Sequence, residues 1–150
     1  MIGDDLRALR KARGHSLRHL AARCGLTYEG VRYVEAGRGF LTSAEAIAAV
    51  YRHRLALVYG DGKLVRLHGP IGRQLAAVRR LLNKSRADII GISLADITAI
   101  ETDARRVTVA MAALYARLLG DADVSLSLEL RPIPRPRPKK ETTNVQRTHC

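Results

Sequence analysis

The chain has 150 residues, 47% of them hydrophobic, with one Phe and no Trp. That is room for one ordinary domain or two very small ones around an aliphatic core, and it excludes wholesale disorder. Twenty-six Lys and Arg against 14 Asp and Glu leave a net charge of +12, which favours a polyanionic partner, nucleic acid before an acidic membrane surface.

The charge is uneven: +6 over residues 1–69, +1 over 70–130 and +5 over 131–150. Two cysteines, Cys24 and Cys150, argue against a disulfide framework or a four-ligand zinc site. The longest apolar runs are too short to span a bilayer, and MIGDDLRALRK at the start lacks the apolar region of a secretory signal. A soluble, cytoplasmic protein with no membrane partner is expected.

In chain order, Leu6, Leu9 and Ala12 have helical spacing, and Gly14 stops that helix. Ser16 caps a second helix carrying Leu17, Leu20 and Ala21, which Gly25 breaks. Thr27 caps a third, with Val31 and Val34 inward. Thr42, with Glu45 three residues on, predicts a capping box for a fourth helix running to about Arg52. The period then changes. Leu55–Tyr59 and Lys63–Leu67 flank Gly60-Asp61-Gly62, a β-hairpin signal over 55–67. Its strands are apolar on both faces, which favours a small sheet over a DNA-reading wing. Residues 124–130 alternate cleanly and predict a further strand, pairing within one chain or between two.

The chain repeats itself. Ile2-Gly3, Leu6, Ala8, Arg10 and Ser16 match Ile71-Gly72, Leu75, Ala77, Arg79 and Ser85; after a three-residue deletion, Gly25 and Glu35 match Gly91 and Glu101. Gly14 falls on Asn83, two residues that tolerate the left-handed end of a helix, and Thr27 falls on Ser93, two good N-caps. Two helical units are the simplest source of such a repeat.

LRALRKARGHSLRHLAARCGLTYEGVRYVEAGRG, within residues 2–54, resembles the Xre-like, or phage-repressor-like, helix-turn-helix family, and residues 71–120 resemble a degenerate second copy. The resemblance implies a mainly α fold: tandem repressor-like helix-turn-helix units, each copy drawn from a five-helix domain, with a small antiparallel β element and a disordered basic tail. The expected divisions are 1–54, a helix-turn-helix domain; 55–69, a hairpin connector; 70–130, the degenerate unit with its strand; and 131–150, the Pro-rich tail. The implied function is sequence-specific binding of double-stranded DNA by a transcriptional regulator associated with the nucleoid, acting as a homodimer, with RNA polymerase or another regulatory protein as a further partner. The third helix would lie in the major groove and the second would cross the phosphate backbone. Carried over by position, Tyr28, Glu29, Arg32 and Tyr33 are candidate base contacts, and Ser16, Arg18, Arg23, Thr27 and Arg38 candidate phosphate contacts. The resemblance also implies ion pairs joining Glu35 to Arg10 and Glu101 to Arg79.

Two departures stand out. Leu17 replaces the Gln common in the family after the cap of helix two, and GFLTS replaces its frequent Pro before helix four. In the second unit helix two shrinks to about 86–90, and the would-be reading helix from Leu94 to Ala99 lacks Lys and Arg and holds Asp96, so that unit is not expected to read bases. These points favour, as the alternative, a protein-interaction module such as an antitoxin, antiactivator or adaptor with weak, nonspecific DNA binding. In the tail, PRPRPKK from Pro134 resembles an AT-hook with Pro136 at the family's Gly; nonspecific phosphate contact through Arg135, Arg137, Lys139 and Lys140 is the favoured reading. His15, His19, His53, His68 and His149 have no metal-ligand spacing and are expected to face solvent, Cys24 reads as a small packed residue, and no catalytic arrangement, phosphate loop or cofactor motif stands out. Neither a metal nor a cofactor is expected, and the chain is not expected to be an enzyme.

Overall fold

A computed structural model describes residues 1–102, 106–121 and 123–138. Four helices, α1 (Ile2–Ala12), α2 (Leu17–Cys24), α3 (Tyr28–Glu35) and α4 (Leu41–Val50), lead into strand β1 (His53–Tyr59). A second set follows: α5 (Ile71–Leu81), a 3₁₀ turn (Arg86–Asp88), α6 (Leu94–Glu101), α7 (Val109–Leu119) and β2 (Leu126–Pro132). The fold is mainly helical with one two-stranded antiparallel sheet. Both strands belong to one chain, so the sheet forms without a second copy.

Local signals fix most boundaries. Ser16 Oγ accepts from the His19 amide, Thr27 Oγ1 from Gly30 and Ser93 Oγ from Asp96, each satisfying an N–H that its helix leaves unpaired. Asn83 sits at φ +54 where its counterpart Gly14 has +67, so both units turn out of their first helix through the left-handed region.

Four expectations need correction. The hairpin partner of β1 is not a strand. Asp61-Gly62 makes the turn, with Tyr59 N–H donating to Lys63 O and Val65 N–H to Leu57 O, but one isolated bridge, Val58 to Leu64, is all that follows. Residues 66, 68 and 69 are exposed and the chain leaves for α5. The strand expected over 124–130 lies at 126–132, because Val124 O and Asp121 close a turn before it. Helix four starts at Leu41 with Phe40 at its cap and no side-chain cap bond, so the Thr42–Glu45 box does not form. The first half also has four helices where the resemblance implies five; β1 follows α4 directly.

The two sets are related by an approximate half-turn. In the ladder Ala56 faces Glu129, Leu55 faces Leu130 and Leu57 faces Leu128. Each strand has seven residues, so exchanging the strands maps Leu55 onto Leu128, Leu57 onto Leu130 and Ala56 onto Glu129. A second reciprocal contact lies at the starts of α4 and α7. Leu41 N–H donates to Val107 O at 2.8 Å, and Val109 N–H donates to Gly39 O at 3.1 Å. Helix α1 packs on β2 and α5 on β1. One continuous core results, from Leu6, Leu20 and Val31 through Leu57 to Leu75, Ile97 and Leu119.

Candidate nucleic-acid interface

Helices α2 and α3 meet through the three residues Gly25, Leu26 and Thr27. Gly25 takes φ +66, and its N–H and that of Leu26 both return to Ala21 O, so the chain reverses within one turn. Ala21 is 5% exposed there, small enough for α3 to pass close by. Val31 and Val34 are buried. With 3.6 residues per turn, that leaves Tyr28, Glu29, Arg32 and Tyr33 on the outer face.

All four are exposed, the two tyrosines by 42% and 45%. They are not independent. Arg32 Nη1 lies 3.7 Å from Glu29 Oε1, one turn back, and the Arg38 guanidinium lies 5.5 Å above the Tyr33 ring. The first pair sets a guanidinium and a carboxylate side by side on the outer face; the second holds a cation from the following loop against the same face. Ser16, Arg18, Arg23, Thr27 and Arg38 are exposed. The Ser16 and Thr27 oxygens accept cap bonds, which leaves each hydroxyl hydrogen free to donate to an anion.

Behind this face Arg10, 8% exposed, donates from Nε and Nη2 to the two Glu35 oxygens at 2.6 and 3.0 Å, and from Nη1 to His15 O. The fork clamps α1 to α3 and so fixes the angle at which α3 presents its outer face. Its counterpart repeats every bond: Arg79 reaches both Glu101 oxygens at 2.6 and 3.1 Å and Lys84 O. Glu101 takes two further donors that sequence reasoning missed, Arg86 Nε at 2.8 Å and the Tyr115 hydroxyl. Burial alone would raise the Glu101 carboxyl, but bonds from Arg79, Tyr115 and Arg86 outweigh it and hold the group at about 2. Burial, then the Glu101 carboxylate, pushes the Tyr115 phenol up.

The corresponding face of the second half is different. Leu94, Ala95, Thr98 and Ala99 stand where Tyr28, Glu29, Arg32 and Tyr33 stand in the first. Leu94 is 59% exposed, and Thr98 Oγ1 is turned back to Leu94 O. Arg86 is engaged by Glu101, and Lys84 by Leu119 O at 3.1 Å with Asp121 at 3.9 Å, while Arg106, after α6, is exposed.

Not every surface expectation holds. His19 and His68 are exposed, but His15 and His53 are half-buried: His15 Nδ1 meets the Tyr51 hydroxyl at 3.2 Å, and His53 Nδ1 meets Tyr51 O at 2.7 Å. Burial, then His19, Arg23 and Arg13, lowers the His15 imidazole. Cys24 packs against the core, and burial raises its thiol. Arg135 and Arg137 are exposed in an extension without regular structure, which Ile133 N–H ties to Arg52 O. Lys139, Lys140 and His149 lie outside the described residues. Among the described residues no cluster of three His, Cys, Asp or Glu is placed to hold a metal, and no helix is long and apolar enough to cross a membrane. Compared with known proteins, the chain matches no family model, no curated relative and no solved structure.

Proposed function

We propose that this protein is a transcriptional regulator that binds double-stranded DNA through the α2–α3 element of its first half, a helix-turn-helix of the Xre-like kind, with the second half a degenerate copy. The observation that carries the reading is the outer face of α3. It presents Arg32 and Glu29 as a pair, flanked by two half-exposed tyrosines and Arg38, on a helix whose angle is fixed by a buried fork. Arg32 in the major groove would donate to guanine O6 and N7, and Glu29 would accept from a cytosine amino group. Ser16, Arg18, Arg23, Thr27 and Arg38 would hold phosphates, which sets register without reading sequence. The tail arginines would add affinity that salt removes.

Selection of the full-length protein against a random duplex library tests this. An enriched motif is expected, and Arg32→Ala should relax one base position and weaken the best site by about 1–3 kcal/mol. Enrichment left unchanged by that substitution would remove α3 as the reader. The exposed Leu94 and Ile90 of the second half favour a second reading, an interaction module that holds another protein. It predicts no motif, together with a stoichiometric protein partner recovered from native cells.

A further inference from the structure

We infer that a single chain, with no second copy, spans a DNA site two half-sites long and reads only one of them, so that its target is asymmetric. This rests on the DNA-binding reading above and specifies its target and stoichiometry.

Three observations carry it. First, the halves are joined as two subunits would be. The ladder is centred on Ala56 and Glu129, with Leu55–Leu130 and Leu57–Leu128 exchanged by a half-turn. The bonds Leu41 N–H to Val107 O and Val109 N–H to Gly39 O are each other's images. A two-fold relation of this kind is what self-complementary dimers use, and here it is built within one chain. It places α3 and α6 as equivalent elements about one axis.

Second, β1 is largely closed to another copy. One edge pairs with β2, and the other receives Val65 N–H at Leu57 O and lends Tyr59 N–H to Lys63 O. The strand that would join two chains is paired along one side and met at its Leu57–Tyr59 end on the other.

Third, the two faces are chemically unequal. Leu94, Ala95, Thr98 and Ala99 replace the four outer residues of α3, and Asp96 stands where Gly30 stands. The four replacements offer no forked donor and no carboxylate to a base edge, and Asp96 is repelled by phosphate. The second half therefore sets geometry and contributes little sequence discrimination.

The test combines selection with the mass of the complex. Wild-type protein should enrich a motif confined to one side of the site, and native mass spectrometry should find one chain per duplex. A variant carrying Leu94→Tyr, Ala95→Glu, Thr98→Arg and Ala99→Tyr should enrich an inverted repeat of the same motif, still with one chain per duplex. Its half-sites should lie roughly 10–10.5 bp apart, centre to centre, or a multiple of that. Circular dichroism checks that the variant is folded; if it is not, the wild-type motif and mass decide alone. An inverted repeat bound by two wild-type chains would overturn this inference and leave DNA reading intact. Salt-sensitive binding with no enriched motif would overturn the DNA-reading function itself.

Discussion

Arg10 and Arg79 hold the same place in the two halves, and each spends its fork on one glutamate and one backbone carbonyl. The repeat in the sequence exposes this pairing, because Arg10 and Glu35 recur together at Arg79 and Glu101. What it hides is the asymmetry: Glu101 also receives Arg86 and Tyr115, and neither position has an equivalent partner around Glu35. The folded-state carboxyl lies at about 2 against an ordinary 4.5, so the charged form is the one the fold favours. The stabilisation is complete above about pH 4.5 and is lost as the pH falls toward 2. Glu101→Gln should cost about 3–5 kcal/mol at neutral pH, since it leaves two guanidinium groups facing a neutral amide. In chemical denaturation the gap between wild type and variant should then narrow between pH 4.5 and 2. A gap that stays constant across that range would show that the carboxylate charge is not what holds the network.

At the scale of elements, the sequence is informative where a boundary depends on one residue's own chemistry. Ser16, Thr27 and Ser93 cap as expected because the hydroxyl and the N–H it satisfies are three residues apart. The start of α4 depends instead on a segment 66 residues away: Leu41 N–H finds Val107 O, and Thr42 has no cap to supply. The β1 hairpin fails for the same reason. Its turn chemistry is right, but the long ladder goes to β2, the clean alternation that buries Leu126 and Leu128. Gly3 and Gly72 are a case of partial legibility. Their match is visible in the repeat, and its cause appears only in the packing: a Cβ on Gly3 would lie 2.7 Å from Glu35 O, and one on Gly72 would run into Ile100 O. Gly3 lets α1 lie against the end of α3, and Gly72 lets α5 lie against the end of α6. Gly72→Ala should therefore destabilise, despite a helix-propensity gain of about 1 kcal/mol. Strain of about 1–3 kcal/mol from the overlap opposes and outweighs it. Scanning calorimetry should show a lower Tm; a raised Tm would mean that α5 and α6 separate without loss.

For the whole molecule, the two-fold relation makes a statement about what the first half would do by itself. Leu55 and Leu57 are 5% and 1% exposed, on a strand that β2 and α5 of the second half cover together with α4. A fragment ending at Gly62 uncovers them and also frees the Leu41 N–H. The same fragment carries the means to replace what it has lost. In the ladder Leu130 and Leu128 occupy the places that Leu57 and Leu55 occupy in β1, so a second β1 pairing about Ala56 sets Leu55 against Leu57 twice over. Gly39 O of one copy would then take the Leu41 N–H of the other, as it takes Val109 N–H in the intact chain. The centre of such a ladder is easier to bury, with Ala56 facing Ala56 in place of Glu129. Residues 1–62 should therefore sediment as a dimer, and that dimer carries two copies of α3. On the proposed function, it should prefer an inverted repeat of the motif that the full chain would read once. A folded monomer at micromolar concentration would show that β1 needs no partner strand, and the equivalence of the two halves about their shared axis would then lose its energetic basis.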